Sequence, residues 1–132
     1  MKPIKVTCAI IEHNDKVLVV QRSKRMNLAL KWEFPGGKIE DDESERDCLI
    51  REIMEELNLE INPQQRLTPS IFHYPNISIE LIPFISELIS GKLILSEHKQ
   101  HKWLSVTELN DIDWASADLP IVKEYIDIKE KA

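Results

Sequence analysis

The chain has 132 residues, 42% of them hydrophobic, enough for one sizeable core and short for two domains of ordinary size. A net charge of −6 excludes nonspecific attraction to a nucleic-acid polymer or an anionic membrane, since both need a basic surface. The longest apolar stretches are strand-sized, Met1-Lys2-Pro3 lacks the apolar centre of a signal peptide, and Cys8 and Cys48 form neither a CxxC pair nor a disulfide framework. A single cytoplasmic domain spanning residues 1–132, with no membrane partner, is the expectation.

Ile4 to Ile11 are mostly apolar or β-branched, and His13-Asn14-Asp15 breaks the chain before Val17 to Val20, which predicts a hairpin. Ser23 to Lys31 has no clear period and reads as a loop. Trp32-Glu33-Phe34 follows, with Pro35-Gly36-Gly37 as a breaker ahead of a helix. The helix is predicted to start near Ser44, where Ser44 and Asp47 resemble a capping box, and to end at Asn58, a residue that tolerates the left-handed turn. Ile50, Ile53, Met54 and Leu57 lie at i, i+3, i+4 and i+7 and predict its buried face. Leu67 to Tyr74 and Ile77 to Leu88 read as strands joined by a Pro75-Asn76 turn, with Pro83 hinting at an edge or bulge. Leu93 to Leu95 and Lys102 to Leu104 are shorter strand candidates, and Ser105 to Leu109 a short helix. Leu119 to Ile128 carries a helical stripe of Ile121, Val122, Tyr125 and Ile126. Strands mixed with two substantial helices predict an α/β (α+β) sandwich.

Glu52, Glu55 and Glu56 stand at i, i+3 and i+4 and share one helical face, expected roughly opposite the apolar stripe. At about 6 Å and an effective dielectric near 20, each shielded like-charge pair costs roughly 3 kcal/mol. A hard divalent cation turns that repulsion into coordination, and magnesium prefers such oxygen ligands. Taken alone, the acidic face reads first as the solvated side of an amphipathic helix, and Arg51 as an i, i+4 partner of Asp47 or Glu55. The upstream residues decide between the readings: Gly37, five residues, Glu43, seven residues, then Arg51-Glu52-Ile53-Met54-Glu55-Glu56-Leu57-Asn58-Leu59. Matches at so many fixed positions arise by chance on the order of once in a million chains of this length.

This spacing resembles the Nudix box, with Asn58 where glycine is usual. Trp32 to Glu40 is similar to the segment leading into that box in the MutT branch, and Tyr74-Pro75-Asn76 and Trp103 also have counterparts there. The resemblance implies a Nudix fold, a mixed curved sheet between helices, and hydrolysis of nucleoside triphosphates to monophosphate and pyrophosphate by attack of water at the β-phosphorus. It implies magnesium as cofactor, with manganese a possible substitute, held by Glu52, Glu55, Glu56, Glu97 and the Gly36 or Gly37 carbonyl. Glu52 or Glu97 is the general base, with Arg51 and Glu43 completing the catalytic group. Arg22, Phe34, Lys38 and Asp118 are the substrate residues. For Arg22, Phe34 and Asp118 the ordinary readings are a surface arginine, a core phenylalanine and an N-cap for the last helix. His98 and His101 flank Glu97 and are expected to face solvent.

An ionised Asp118 suits the exocyclic amine of cytosine, whereas a protonated one suits an oxidised guanine such as that of 8-oxo-dGTP. Two further readings stand beside this one: hydrolysis of diphosphate-linked dinucleotides, and a catalytically silent binding module. All four box glutamates are present, which argues against the silent module. The expected partner is a small nucleotide, and the expected assembly a monomer or homodimer.

Overall fold

A computed structural model describes residues 2–132. β1 (Ile4–His13) and β2 (Lys16–Gln21) form the expected antiparallel hairpin. Asn14 and Asp15 both have positive φ, 51° and 61°, the geometry of a tight hairpin turn and one these residue types tolerate. Then follow β3 (Trp32–Glu33), β4 (Gly36–Lys38), α1 (Glu45–Leu57), β5 (Leu59–Arg66), β6 (Ser70–Tyr74), β7 (Ile77–Gly91), β8 (Gln100–Leu104) and α2 (Leu119–Lys131). Short 3-10 turns at Val106–Asp111 and Ser116–Asp118 lead into α2.

The sheet runs β3-β2-β1-β7-β5, with β4 beside β1, β6 beside β7 and β8 beside β2. The β1–β7 pair is parallel and the other pairs antiparallel, so the sheet is mixed. Alternation along the strands builds a core on each face. Cys8, Ile10, Val17, Val19 and Ile85 pack with Ile121, Val122 and Tyr125 of α2. Ala9, Ile11, Leu18, Val20 and Ile82 pack with Leu49, Ile53 and Leu57 of α1. Each fully buried aliphatic side chain contributes about 1.5–3 kcal/mol, so these two layers hold the helices on opposite faces. Among the described residues no helix is long and apolar enough to cross a membrane. Cys8 and Cys48 are both free and buried.

Several elements depart from expectation. Pro35-Gly36-Gly37 does not simply break the chain: Gly36–Lys38 is a strand paired with Val6–Cys8 of β1. Leu59–Arg66 is a strand that the helix-end signal at Asn58 masked. The strand placed at Leu67 starts at Ser70. Pro83 is central: β7 pairs with β1 on one side, while on the other its partner changes from β6, ending at Leu81, to β5, starting at Phe84. Pro83 sits in that gap. Leu93 to Leu95 is not a strand, because the Ile94 N–H donates to the Leu57 carbonyl and closes the end of α1 (3.0 Å).

Candidate active site

α1 begins where sequence placed it. Ser44 Oγ accepts from the Asp47 N–H (3.0 Å), the hydroxyl half of the predicted box. Asn58 ends the helix with φ 57°, and its Nδ2 donates to the Lys92 carbonyl (3.0 Å), a bond glycine could not make. The apolar face is rotated from the predicted one. Met54 is 45% exposed, and the buried residues are Cys48, Leu49, Ile53 and Leu57. Glu56 and Glu52 therefore lie about 20° and 60° around the helix from Leu49, inside the packed arc rather than opposite it. Of the three glutamates only Glu55 is exposed.

That rotation gives Glu56 its character. Its Oε2 is buried without a hydrogen-bond partner. Burial, reinforced by the negative charges of Glu52, Glu33 and Glu97, pushes its carboxyl up to about 9. Arg51 ties the neighbouring acids together: Nε and Nη2 donate to Glu43 (2.6 and 2.9 Å), and Nη1 to Glu52 (2.8 Å) and Glu55 (3.3 Å). The Arg51 bonds to Glu43, with a further bond from the Glu40 N–H, hold the Glu43 carboxyl down at about 2. Asp47 is not among the Arg51 partners.

The two glycines are required by close approach. A Cβ on Gly37 would overlap the Glu52 side chain, and one on Gly36 the backbone of Thr7 and Cys8. The Gly37 carbonyl accepts from the Thr7 hydroxyl (3.2 Å) and the Cys48 thiol (3.6 Å). Among the described residues no three His, Cys, Asp or Glu side chains converge tightly enough to enclose a cation, since Arg51 draws Glu52 and Glu55 to itself.

Beside this acidic ridge is a cavity of about 430 Å³, bounded by Gly36, Gly37 and Glu56 at one end and by Arg22, Phe34 and Asp118 among others. Asp118 is buried and does not cap α2 with its side chain; its Oδ2 accepts from the Phe34 N–H instead (2.9 Å). Burial, with the Glu33 charge nearby, raises its pKa well above the aspartate range and favours the neutral carboxyl, against the opposing bond from the Phe34 N–H. Of the predicted residues, Glu43, Arg51, Glu52 and Glu55 belong to the ridge rather than the cavity lining, and two others also lie outside that lining: the Lys38 side chain is exposed at the end of β4, and Glu97 is exposed on the β7–β8 loop.

Two lining residues were missed. Glu33 accepts from Arg22 Nη1 at one oxygen (2.9 Å) and meets His98 Nε2 at the other (2.9 Å). His98 is buried, against the expectation of solvent exposure, while His101 is exposed. Period-two alternation in β3, where Trp32 faces a core, was a signal for Glu33 facing the opposite side. The loop around His98 has no period and offered none.

A model of the NUDIX domain matches residues 1–125, nearly the whole chain. The chain belongs to the Nudix family. Within this family of hydrolases it is 34% identical over 129 residues to the CTP pyrophosphohydrolase of Escherichia coli K12, covering 98% of this chain and 96% of that one. It is 28% identical to the 8-oxo-dGTP diphosphatase of the same organism, covering 92% and 95%. The solution structure of a MutT Nudix hydrolase from methicillin-resistant Staphylococcus aureus 252 is 40% identical and superposes with a TM-score of 0.77, covering 96% and 97%. The Nudix box thus begins on a strand, at Gly37, and ends at Leu59, one residue past the helix cap Asn58.

Proposed function

We propose that this Nudix hydrolase cleaves nucleoside triphosphates to monophosphate and pyrophosphate with a divalent cation, magnesium by preference, and acts on cytosine or oxidised-guanine nucleotides. The carrying observation is the junction of an acidic ridge with an apolar cavity at Glu56. A buried carboxylate oxygen with no partner, among other carboxylates, is a poor resting state for a protein and a suitable ligand for a hard cation. Glu52, Glu55, Glu56 and a Gly36 or Gly37 carbonyl would hold the metal, with Glu97 within electrostatic reach. When bound, it neutralises phosphate charge and lowers the pKa of a coordinated water.

The chain's own residues do the rest. Arg51 fixes Glu52 against Gly37 and is itself fixed by Glu43. Glu97, exposed and on a loop, takes the proton of the attacking water as its oxygen bonds the β-phosphorus and the bridge to the α-phosphate breaks. The cavity admits the base over Phe34. Because Asp118 Oδ2 accepts from Phe34, its neutral form presents Oδ1 as a hydroxyl that donates and accepts. Cytosine offers N3 beside an amine, and oxidised guanine offers O6 beside N7–H. The same edge of unmodified guanine offers two acceptors and fits less well.

The test is pyrophosphate release with magnesium from CTP, dCTP, 5-methyl-dCTP, 8-oxo-dGTP and dGTP, for wild type and for Glu52→Gln. Turnover of cytosine or oxidised-guanine nucleotides, lost in Glu52→Gln with binding retained, is the expected result. Hydrolysis of diphosphate-linked dinucleotides alone would replace the triphosphate reading, and binding without any hydrolysis would revive a silent module.

A further inference from the structure

The loop at residues 92–99, which carries Glu97, is held from two sides. Ser96 bonds the end of α1, its N–H and Oγ both donating to the Glu56 carbonyl (3.2 and 3.0 Å). On the other side the Lys99 N–H donates to the Gln21 carbonyl (2.9 Å), and His98 reaches Glu33 of β3. A carboxylate oxygen only accepts, so His98 Nε2 carries the proton and donates. The His98 side chain is 2% exposed and that of Glu33 is 19% exposed. Glu33 in turn accepts from Arg22, whose Nε donates to the Asn27 carbonyl in the loop bordering the cavity. A continuous polar chain therefore runs from the nucleoside cavity through Arg22 and Glu33 to His98, the residue beside Glu97.

Stability alone does not account for this pair. Leu93 and Leu95 already dock the loop on the α1 core. Replacing a buried polar pair by apolar residues of similar volume is often neutral or stabilising, whereas a directional bond fixes one geometry. We propose that His98 is a positioning residue: by its bond to Glu33 it sets Glu97 in register with the nucleoside cavity. This rests on the role given to Glu97 above.

His98→Gln and His98→Asn carry the same amide, but only glutamine places its N–H near Nε2. The assay is steady-state hydrolysis of CTP or 8-oxo-dGTP, whichever turns over faster, with magnesium, alongside thermal unfolding of each variant. His98→Gln should keep kcat within about threefold, while His98→Asn lowers kcat about 10- to 100-fold with KM nearly unchanged, the scale of a misplaced group. Glu33→Leu, which removes the acceptor of the His98 N–H, should lower kcat by a similar factor and serves if His98→Asn does not fold. In a Glu97→Gln background the His98→Asn loss should shrink to less than about twofold, as for residues acting through one another. Equal kcat for the two His98 variants, or a full additional loss in the Glu97→Gln background, would overturn the inference. A Glu97→Gln protein with wild-type kcat would instead overturn the assignment of Glu97.

Discussion

Replacing Glu56 with Gln separates the burden this carboxyl places on the fold from its use in the site. Without metal, the Glu56 pKa is about 9 in the folded chain against an ordinary 4.5. A carboxyl whose pKa is raised on folding binds more protons in the native state, so stability is full below the ordinary value and falls as pH climbs toward the raised one. Each pH unit inside that window removes about 1.4 kcal/mol, or about 3 kcal/mol between the ordinary pKa and neutrality. The burial cost of a glutamine amide does not titrate and cancels from the pH dependence. Urea unfolding in EDTA from about pH 5 to about pH 9 should therefore show wild type losing stability relative to Glu56→Gln, by about 3 kcal/mol at neutrality. In a thermal scan this is a relative shift of roughly 10 °C. Added magnesium should stabilise wild type and leave Glu56→Gln nearly unchanged, because only a native state with the ligand gains from binding. Parallel pH profiles in EDTA would refute the buried-carboxylate reasoning, and an equal magnesium response in both proteins would refute Glu56 as a ligand.

Other outcomes follow from single contacts. Gly37→Ala puts a methyl group where the Glu52 side chain lies, so kcat should fall by at least about 100-fold while circular dichroism shows the fold retained. Asp118→Asn mimics the neutral acid: kcat/KM should stay within about threefold, since the amide keeps one donor and one acceptor. Asp118 has its pKa raised by folding, so its neutral form is favoured in the native state and stability declines as pH rises through the raised value. Asp118→Asn should remove that decline, and stability curves for the two proteins that stay parallel as pH rises from the ordinary value of 3.8 would count against it. Asn58→Gly exchanges the bond to the Lys92 carbonyl for relief at φ 57°, so urea unfolding should find the two proteins within about 1 kcal/mol.

What sequence disclosed and what it hid follow from which forces act locally. The spacing from Gly37 to Asn58 was legible because it reports local requirements: close approach at Gly37, a left-handed cap at Asn58 and glutamates one helical turn apart. The direction of the helix face was not, because apolar character alone does not decide which side of a helix is buried. Tertiary packing made Met54 an exposed residue and drew Glu52 and Glu56 inward instead. Leu59–Arg66 carries a buried–exposed alternation in its first residues, but its place in the sheet depends on β7, a partner distant in sequence.

The same limit explains Glu33 and His98. Their bond joins positions 65 residues apart, and neither has a local pattern that names the other. The misread rotation also has a functional consequence. Had the three glutamates faced bulk water, solvent would have screened their mutual repulsion and left little electrostatic reason to recruit a cation. With Glu56 turned into the packed arc, its Oε2 is shielded from solvent and has no protein donor, and relief comes from a proton or a metal. The fold thus holds part of the site in an unfavourable state before ligand arrives, and metal binding relieves an electrostatic burden the packing has imposed.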